Sequence, residues 1–185
     1  MRTALTLIAL LVVAAASFWF LQDITQEPLK SQAADADFPD YFLENFSITN
    51  MDSSGQAQYR LAAKKMLHYA NDERAELTAP VFKIDQINSQ LTLSASRAIY
   101  KEQENLLTLL DNVVIYRAAS TTQSELFIYT DYLKINTQSQ IAETHLAARV
   151  TTAQAQFDTI GLKLDNKQAT FTLLSQVKGR YDAPK

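Results

Sequence analysis

The chain has 185 residues, 47% hydrophobic and 20% charged, with a net charge of −3 and a pI near 5.4. This is the balance of one globular domain with a short extension, and it lacks the concentrated positive charge that nucleic acid requires. Cysteine is absent and glycine occurs only at Gly55, Gly161 and Gly179, which excludes disulfides, thiolate metal sites, cysteine nucleophiles, a lipid-bearing cysteine and a glycine-rich phosphate loop.

From Ala4 to Leu21 the run ALTLIALLVVAAASFWFL holds eighteen residues, with only Thr6 and Ser17 polar. As a helix it would rise about 27 Å at ~1.5 Å per residue, close to the hydrocarbon thickness of a bilayer. Arg2 and the amino terminus precede the run, while Asp23 and Glu27 follow it. Basic flanks stay cytoplasmic, so this reading places the N-terminus inside and exports the rest, with Phe18, Trp19 and Phe20 at the outer interface. Ala14-Ala15-Ala16 also fits a signal-peptide cleavage site, but cleavage there would leave a mature chain beginning SFWFLQ, with four bulky apolar residues exposed. Residues 1–21 therefore read as a retained transmembrane anchor. Residues 22–37, polar, without apolar periodicity and containing Pro28, read as a linker.

From Phe38 to Lys185 short runs of alternating apolar and polar residues recur. They include Phe46-Ser-Ile48, Tyr59-Arg-Leu61-Ala-Ala63, Leu91-Thr-Leu93, Leu107-Thr-Leu109 and Val113-Val-Ile115, then Ile128-Tyr-Thr130, Leu162-Lys-Leu164 and Phe171-Thr-Leu173. Turn-like clusters separate them at Asp52–Gly55, Asn71-Asp72, Asp111-Asn112, Asn136–Ser139 and Asp165–Lys167. The pattern is that of an all-β sandwich, barrel or roll. Ala62–Ala75 and Ala95–Leu110 have fair helix propensity, but propensity is a weak prior, and an internal repeat opposes it. Leu61, Ala63, Leu67, Leu77 and Val81 map onto Leu93, Ala95, Ile99, Leu109 and Val113 at one offset of 32 residues, with a looser third copy from Ile128 to Val150. Strand parity points Phe46, Leu61, Leu77, Leu93, Leu109, Phe171 and Leu173 inward, and Thr78, Thr92 and Thr108 outward.

No constellation of catalytic residues stands out. His68 and His145 lack the neighbours of a metalloprotease or serine-hydrolase motif. Asp72-Glu73 and Glu102/Glu104 read as solvated turns, Lys64-Lys65 as the wet face of a strand, and the tyrosines and phenylalanines as core at strand spacing. The expectation is a protein that is not an enzyme, with no metal and no cofactor.

Tyr59-Arg-Leu-Ala-Ala-Lys-Lys-Met-Leu-His-Tyr69 followed by Leu77-Thr-Ala-Pro80-Val81, and Ala95-Ser-Arg-Ala98-Ile-Tyr100 followed by Leu107–Ile115, form two successive repeats. With Leu126–Ile135, Gly161–Leu164 and Val177–Tyr181 after them, the chain resembles the LptC family, the bitopic inner-membrane component of the lipopolysaccharide export machine of Gram-negative bacteria. Two positions depart from that pattern: Asp111 and Gln154 stand where the family commonly has glycine. The resemblance implies a twisted antiparallel β-jelly-roll, open along one seam, behind a single N-terminal transmembrane helix. It implies a lipopolysaccharide-binding interior built on the seven inward residues, and partnership with an inner-membrane ABC transporter complex. It also implies a docking edge at Thr170, Thr172, Val177, Gly179 and Tyr181 for a periplasmic bridge protein of the same jelly-roll type. The inner membrane, with the C-terminal domain in the periplasm, is the expected location. A structural tether with an ordinary packed core is the alternative.

Overall fold

The computed structural model describes residues 17–18, 38–86, 89–120, 124–168 and 170–181. The anchor and linker expected over 1–37 lie outside the described residues, apart from Ser17 and Phe18, which are helical. Among the described residues no helix is long and apolar enough to cross a membrane. Every strand belongs to the second of the chain's two units, Phe38–Lys185.

β1 (Tyr41–Met51) pairs along its length with β2 (Ala57–Tyr69). The next two rows are split. β3 (Arg74–Thr78) lies on the second half of β2, and β4 (Val81–Gln86) on the first half. β5 (Ser89–Ser94) pairs with β4, and β6 (Arg97–Lys101) with β3. β7 (Leu106–Arg117) is continuous again and pairs with β6 through its first half and β5 through its second. β8 (Leu126–Asn136), β9 (Ile141–Thr152), β10 (Ala155–Asp165) and β11 (Thr170–Tyr181) follow as successive antiparallel neighbours. All eleven strands join one sheet, and β1 and β11 are its edges among the described residues. The expectation of an all-β antiparallel fold holds, and both segments with helical propensity are strand and turn.

The turns use the chemistry their residues offer. Asp52 Oδ1 accepts from the Ser54 and Gln56 N–H groups at 2.8 and 3.0 Å and from Ser54 Oγ at 2.6 Å. These bonds hold the Asp52 carboxyl below its ordinary range. Asn105 (φ 51) and Gln140 (φ 59) supply left-handed residues in the turns after β6 and β8.

Asp111-Asn112, expected as a turn, is instead a bulge inside β7, so Leu107–Leu109 and Val113–Ile115 belong to one strand. Both residues adopt positive φ, 60° and 52°. That is the dihedral signature of a tight hairpin, which is why the pair reads as a reversal. Here neighbours pin it within the sheet. Asp111 O accepts from the Ser96 N–H at 2.8 Å, Arg97 Nε donates to Asp111 Oδ2 at 2.9 Å, and Asn112 Nδ2 donates to Ser96 Oγ at 3.1 Å.

This bulge is one of a line. Asn45 takes a positive φ (47°) within β1 without a change of register, Ala79 (φ 50) and the buried Pro80 separate β3 from β4, and Ala95-Ser96 separate β5 from β6. Register breaks follow between Thr130 and Lys134 in β8, between Ile160 and Leu162 in β10, and beside Gln176 (φ 49) in β11. Bulges free backbone groups and sharpen local twist. Buried threonines take up the freed groups: Thr130 Oγ1 donates to Ala147 O at 3.0 Å, and Thr159 Oγ1 reaches Ser175 O at 3.0 Å and Gly161 O at 3.1 Å.

Candidate functional site

One face of the sheet is apolar from edge to edge. Reading directly paired residues across the strands gives ranks of side chains. One complete rank runs Ile48, Leu61, Phe82, Leu93, Ile115, Ile128, Val150, Phe157, Gly179. A second begins Leu43, Met66, Leu77, Ala98, Leu109, Leu133, and Leu162 and Leu173 continue it in β10 and β11. Leu109, Leu133 and Leu162 are 0% exposed, each stabilising the fold by about 1.5–3 kcal/mol through burial.

Exposure rises from the middle rows to the edges. Leu77, Leu93 and Leu109 are buried, whereas Phe46, Leu61 and Leu173 are partly buried against that core. Phe171 lies on the same face, opposite Leu164, but is 41% exposed. Six of the seven inward residues thus share the core cluster, and Phe171 stands at its open margin. Thr170, Thr172, Val177, Gly179 and Tyr181 all lie on the edge strand β11. The Phe157 ring occupies the space over Gly179, where an added Cβ would come within 2.8 Å of it.

The far rank on the β1-start side runs Tyr41, His68, Ala75, Tyr100, Leu107, Ile135, Ala142, Leu164, Phe171. Tyr41 stacks on His68 with ring centroids 4.4 Å apart. His68 Nδ1 lies 2.8 Å from Asp40 Oδ1, and His68 Nε2 lies 3.6 Å from Glu73 Oε2. Partial desolvation pushes the Asp40 carboxyl up, but the hydrogen bond and charge of His68 together with backbone N–H donors outweigh it and hold the group below its ordinary value. Burial raises the Tyr100 phenol, helped by the nearby Glu102 carboxylate.

The opposite rank runs Asn50, Tyr59, Ile84, Leu91, Arg117, Leu126, Thr152, with Ala155 and Tyr181 beyond. Arg117 is the residue that sequence reasoning missed. The available signal was parity, since Val113, Ile115 and Arg117 share one phase of β7. The inward hydroxyls Thr130, Thr144 and Thr159 were missed too, because threonine on an alternating strand reads as outward.

The outer face mixes charged side chains with aromatic ones, and Tyr116, Phe127 and Tyr129 form a row there with ring centroids 4.7 and 6.0 Å apart. Arg149 Nε donates to Asp158 Oδ1 at 2.7 Å, and Lys64 and Lys65 are exposed. His145 meets only the edge of the Tyr132 ring among its ring contacts, at 4.9 Å. Among the described residues no group of three or more histidines and carboxylates is placed to hold a metal.

Three comparisons bear on this arrangement. Among solved structures, the chain is similar to LptH, the LptA-homologous periplasmic component of the lipopolysaccharide transport device of Pseudomonas aeruginosa. The two are 8% identical, the match covers 81% of this chain and 99% of that one, and the TM-score is 0.47. Comparison with curated proteins finds no sequence match. The family model described as LptC, LptC-related lipopolysaccharide assembly, matches residues 7–182. With nearly the whole chain inside that match, this protein belongs to the LptC family of lipopolysaccharide-assembly proteins.

Proposed function

We propose that this chain is a membrane-anchored lipopolysaccharide-binding component. It accepts lipopolysaccharide from an inner-membrane ABC transporter and passes it to a periplasmic bridge protein of the same β-jelly-roll type. The observation that carries this reading is the apolar face that crosses every row of the sheet and ends on two unpaired edges. Each methylene of an acyl chain moved out of water is worth about 0.8 kcal/mol, so a multiply acylated lipid needs continuous apolar cover. The buried central leucines form the floor of that cover, and the partly exposed Phe46, Leu61 and Leu173 its walls. Either edge can receive a strand from another sheet through main-chain hydrogen bonds. In this reading residues 1–21 hold the chain in the inner membrane with its N-terminus cytoplasmic, and the energy for transport comes from the transporter.

The complete burial of Leu109, Leu133 and Leu162 favours the second reading, a tether with a packed interior. Photo-crosslinkers separate the two. At Phe46, Leu61 and Leu173 they should capture lipopolysaccharide in cells, while crosslinkers at Thr78, Thr92 and Thr108 should not. Equal capture from both sets, or none from the first, refutes the lipid-binding reading.

A further inference from the structure

The apolar face carries one cationic side chain, at one of its ends. Among the described residues of the ranks traced above, Arg117 is the only lysine or arginine, and none is an aspartate or glutamate. Arg117 pairs across strands with Leu91 on one side and Leu126 on the other, both packed on the core. Its Nε is shut off from solvent and has no hydrogen-bond partner. Its Nη2 donates to the Ser124 carbonyl at 3.5 Å, the limit of hydrogen-bonding distance. No carboxylate pairs with it among the described residues.

A guanidinium stays protonated and presents a planar fork suited to phosphate. Setting it between leucines without a counter-charge works against stability, and an apolar side chain of similar size would pack there at lower cost. At the other end His68 is flanked by Asp40 and Glu73. An anion is therefore attracted to the Arg117 end, where the one guanidinium of these ranks has no carboxylate partner, whereas the cations Arg74 and Lys101 near the other end are paired with carboxylates.

We infer that Arg117 is the phosphate-binding residue of the apolar face. It pairs with a phosphate on the head group of an acylated glycolipid and so sets which end of the face that head group occupies. The inference rests on the lipid-binding reading above and assigns the orientation of the ligand within it. The leucines on either side take acyl chains, and the guanidinium takes the charge they cannot.

The test compares two ligands on the full chain in detergent micelles: bis-phosphorylated, hexa-acylated lipid A and the same acylated disaccharide without phosphates. Affinities are measured by competition against a fluorescent lipid A. The native chain should prefer the phosphorylated lipid by about tenfold, the ratio of ~1.4 kcal/mol. Arg117→Gln should bind both lipids within about threefold of each other, and Arg117→Lys should keep part of the preference. His68→Gln should keep all of it. Circular dichroism and thermal unfolding check that each variant is folded, and Arg117→Gln should unfold no earlier than the native chain. An undiminished preference in folded Arg117→Gln overturns the inference while leaving lipid binding intact. Displacement of the phosphorylated lipid by inorganic phosphate alone, at equal concentration, would make Arg117 a free-phosphate site and also overturn it. Failure of the native chain to bind either lipid refutes the lipid-binding reading, and the inference falls with it.

Discussion

Gly161 offers a quantitative check on the line of bulges. It has φ +82 in β10, and a Cβ built there would lie 2.9 Å from Leu174 Cδ1 and 3.1 Å from Leu174 Cβ. Gly55, at φ +80, has nothing within 4 Å of the same position. Gly55→Ala therefore isolates the backbone cost. An L-residue in this region costs about 1–2 kcal/mol, offset by about 0.4–1 kcal/mol from the stiffer unfolded chain, so a net loss of about 0.5–1 kcal/mol is expected. Gly161→Ala adds steric crowding. Leu174 is 57% exposed and its tip can rotate, but its Cβ moves only with the β11 backbone. Overpacking of this kind costs about 1–3 kcal/mol, so the total should reach about 2–3 kcal/mol. In the double variant Gly161→Ala, Leu174→Ala the tip contact is gone and the Cβ contact remains, so about 0.5–1 kcal/mol should return as coupling between neighbours. Urea unfolding followed by far-ultraviolet circular dichroism reads the native chain, Gly55→Ala, Gly161→Ala, Leu174→Ala and the double variant, with constant m-values as the two-state check. If Gly161→Ala cost no more than Gly55→Ala, the close approach of β11 over the β10 bulge would be wrong.

Asp158 titrates below its ordinary value of 3.8, first because Arg149 donates to it and despite some desolvation. The folded chain therefore binds fewer protons there than the unfolded chain. The stabilisation is present above the ordinary carboxylate value and is lost as pH falls through the lowered one. In Arg149→Gln the Asp158 midpoint followed by NMR should rise, and that part of the acid limb of stability should vanish; an unmoved midpoint would mean that another group lowers it. Removing residues 170–185 should abolish co-purification with the bridge protein and leave membrane association unchanged. Circular dichroism must show the remaining sheet intact, and normal bridge binding by such a chain would move the docking edge elsewhere.

Much of the fold was legible because strand alternation survives in the rows where burial is strongest. Leu61, Leu93 and Ile128 begin the three repeat copies, and all three stand in one rank of the sheet. The offset of 32 residues between Leu61 and Leu93 is one passage out and back across two rows. Leu67 and Ile99, at the same offset, face each other through Glu76 on the outer side. What escaped was the parity change at the bulges. In β8 the buried inward positions step from Thr130 to Leu133, and in β10 from Thr159 to Leu162. A step of three breaks period-two reading, so alternation carried across those points assigns half the strand to the wrong face. Arg117 was hidden differently: its charge argued for the wet face, and only its phase with Val113 and Ile115 argues otherwise.

The bulges also explain how a face made of separate strands stays continuous. In β7 and β9 the buried inward positions step by four, from Leu109 to Val113 and from Thr144 to Ala148, while β8 and β10 step by three. The step of four preserves the period-two phase in β7 and β9, whereas the step of three changes it in β8 and β10, so no single alternation runs through every row. Each row instead carries its own irregularity at the same level, and the side chains on both halves return to one face. The cost falls on the backbone groups freed at each bulge, where a buried polar group left unpaired costs about 1–3 kcal/mol. The inward threonines remove that cost locally, since Thr130 and Thr159 donate to carbonyls two residues away and on the adjacent strand. The hydroxyls buried in this apolar face are therefore a consequence of its continuity. Arg117 lies beyond the bulge among leucines, where its Nη2 reaches the Ser124 carbonyl only at 3.5 Å and its Nε is unpartnered.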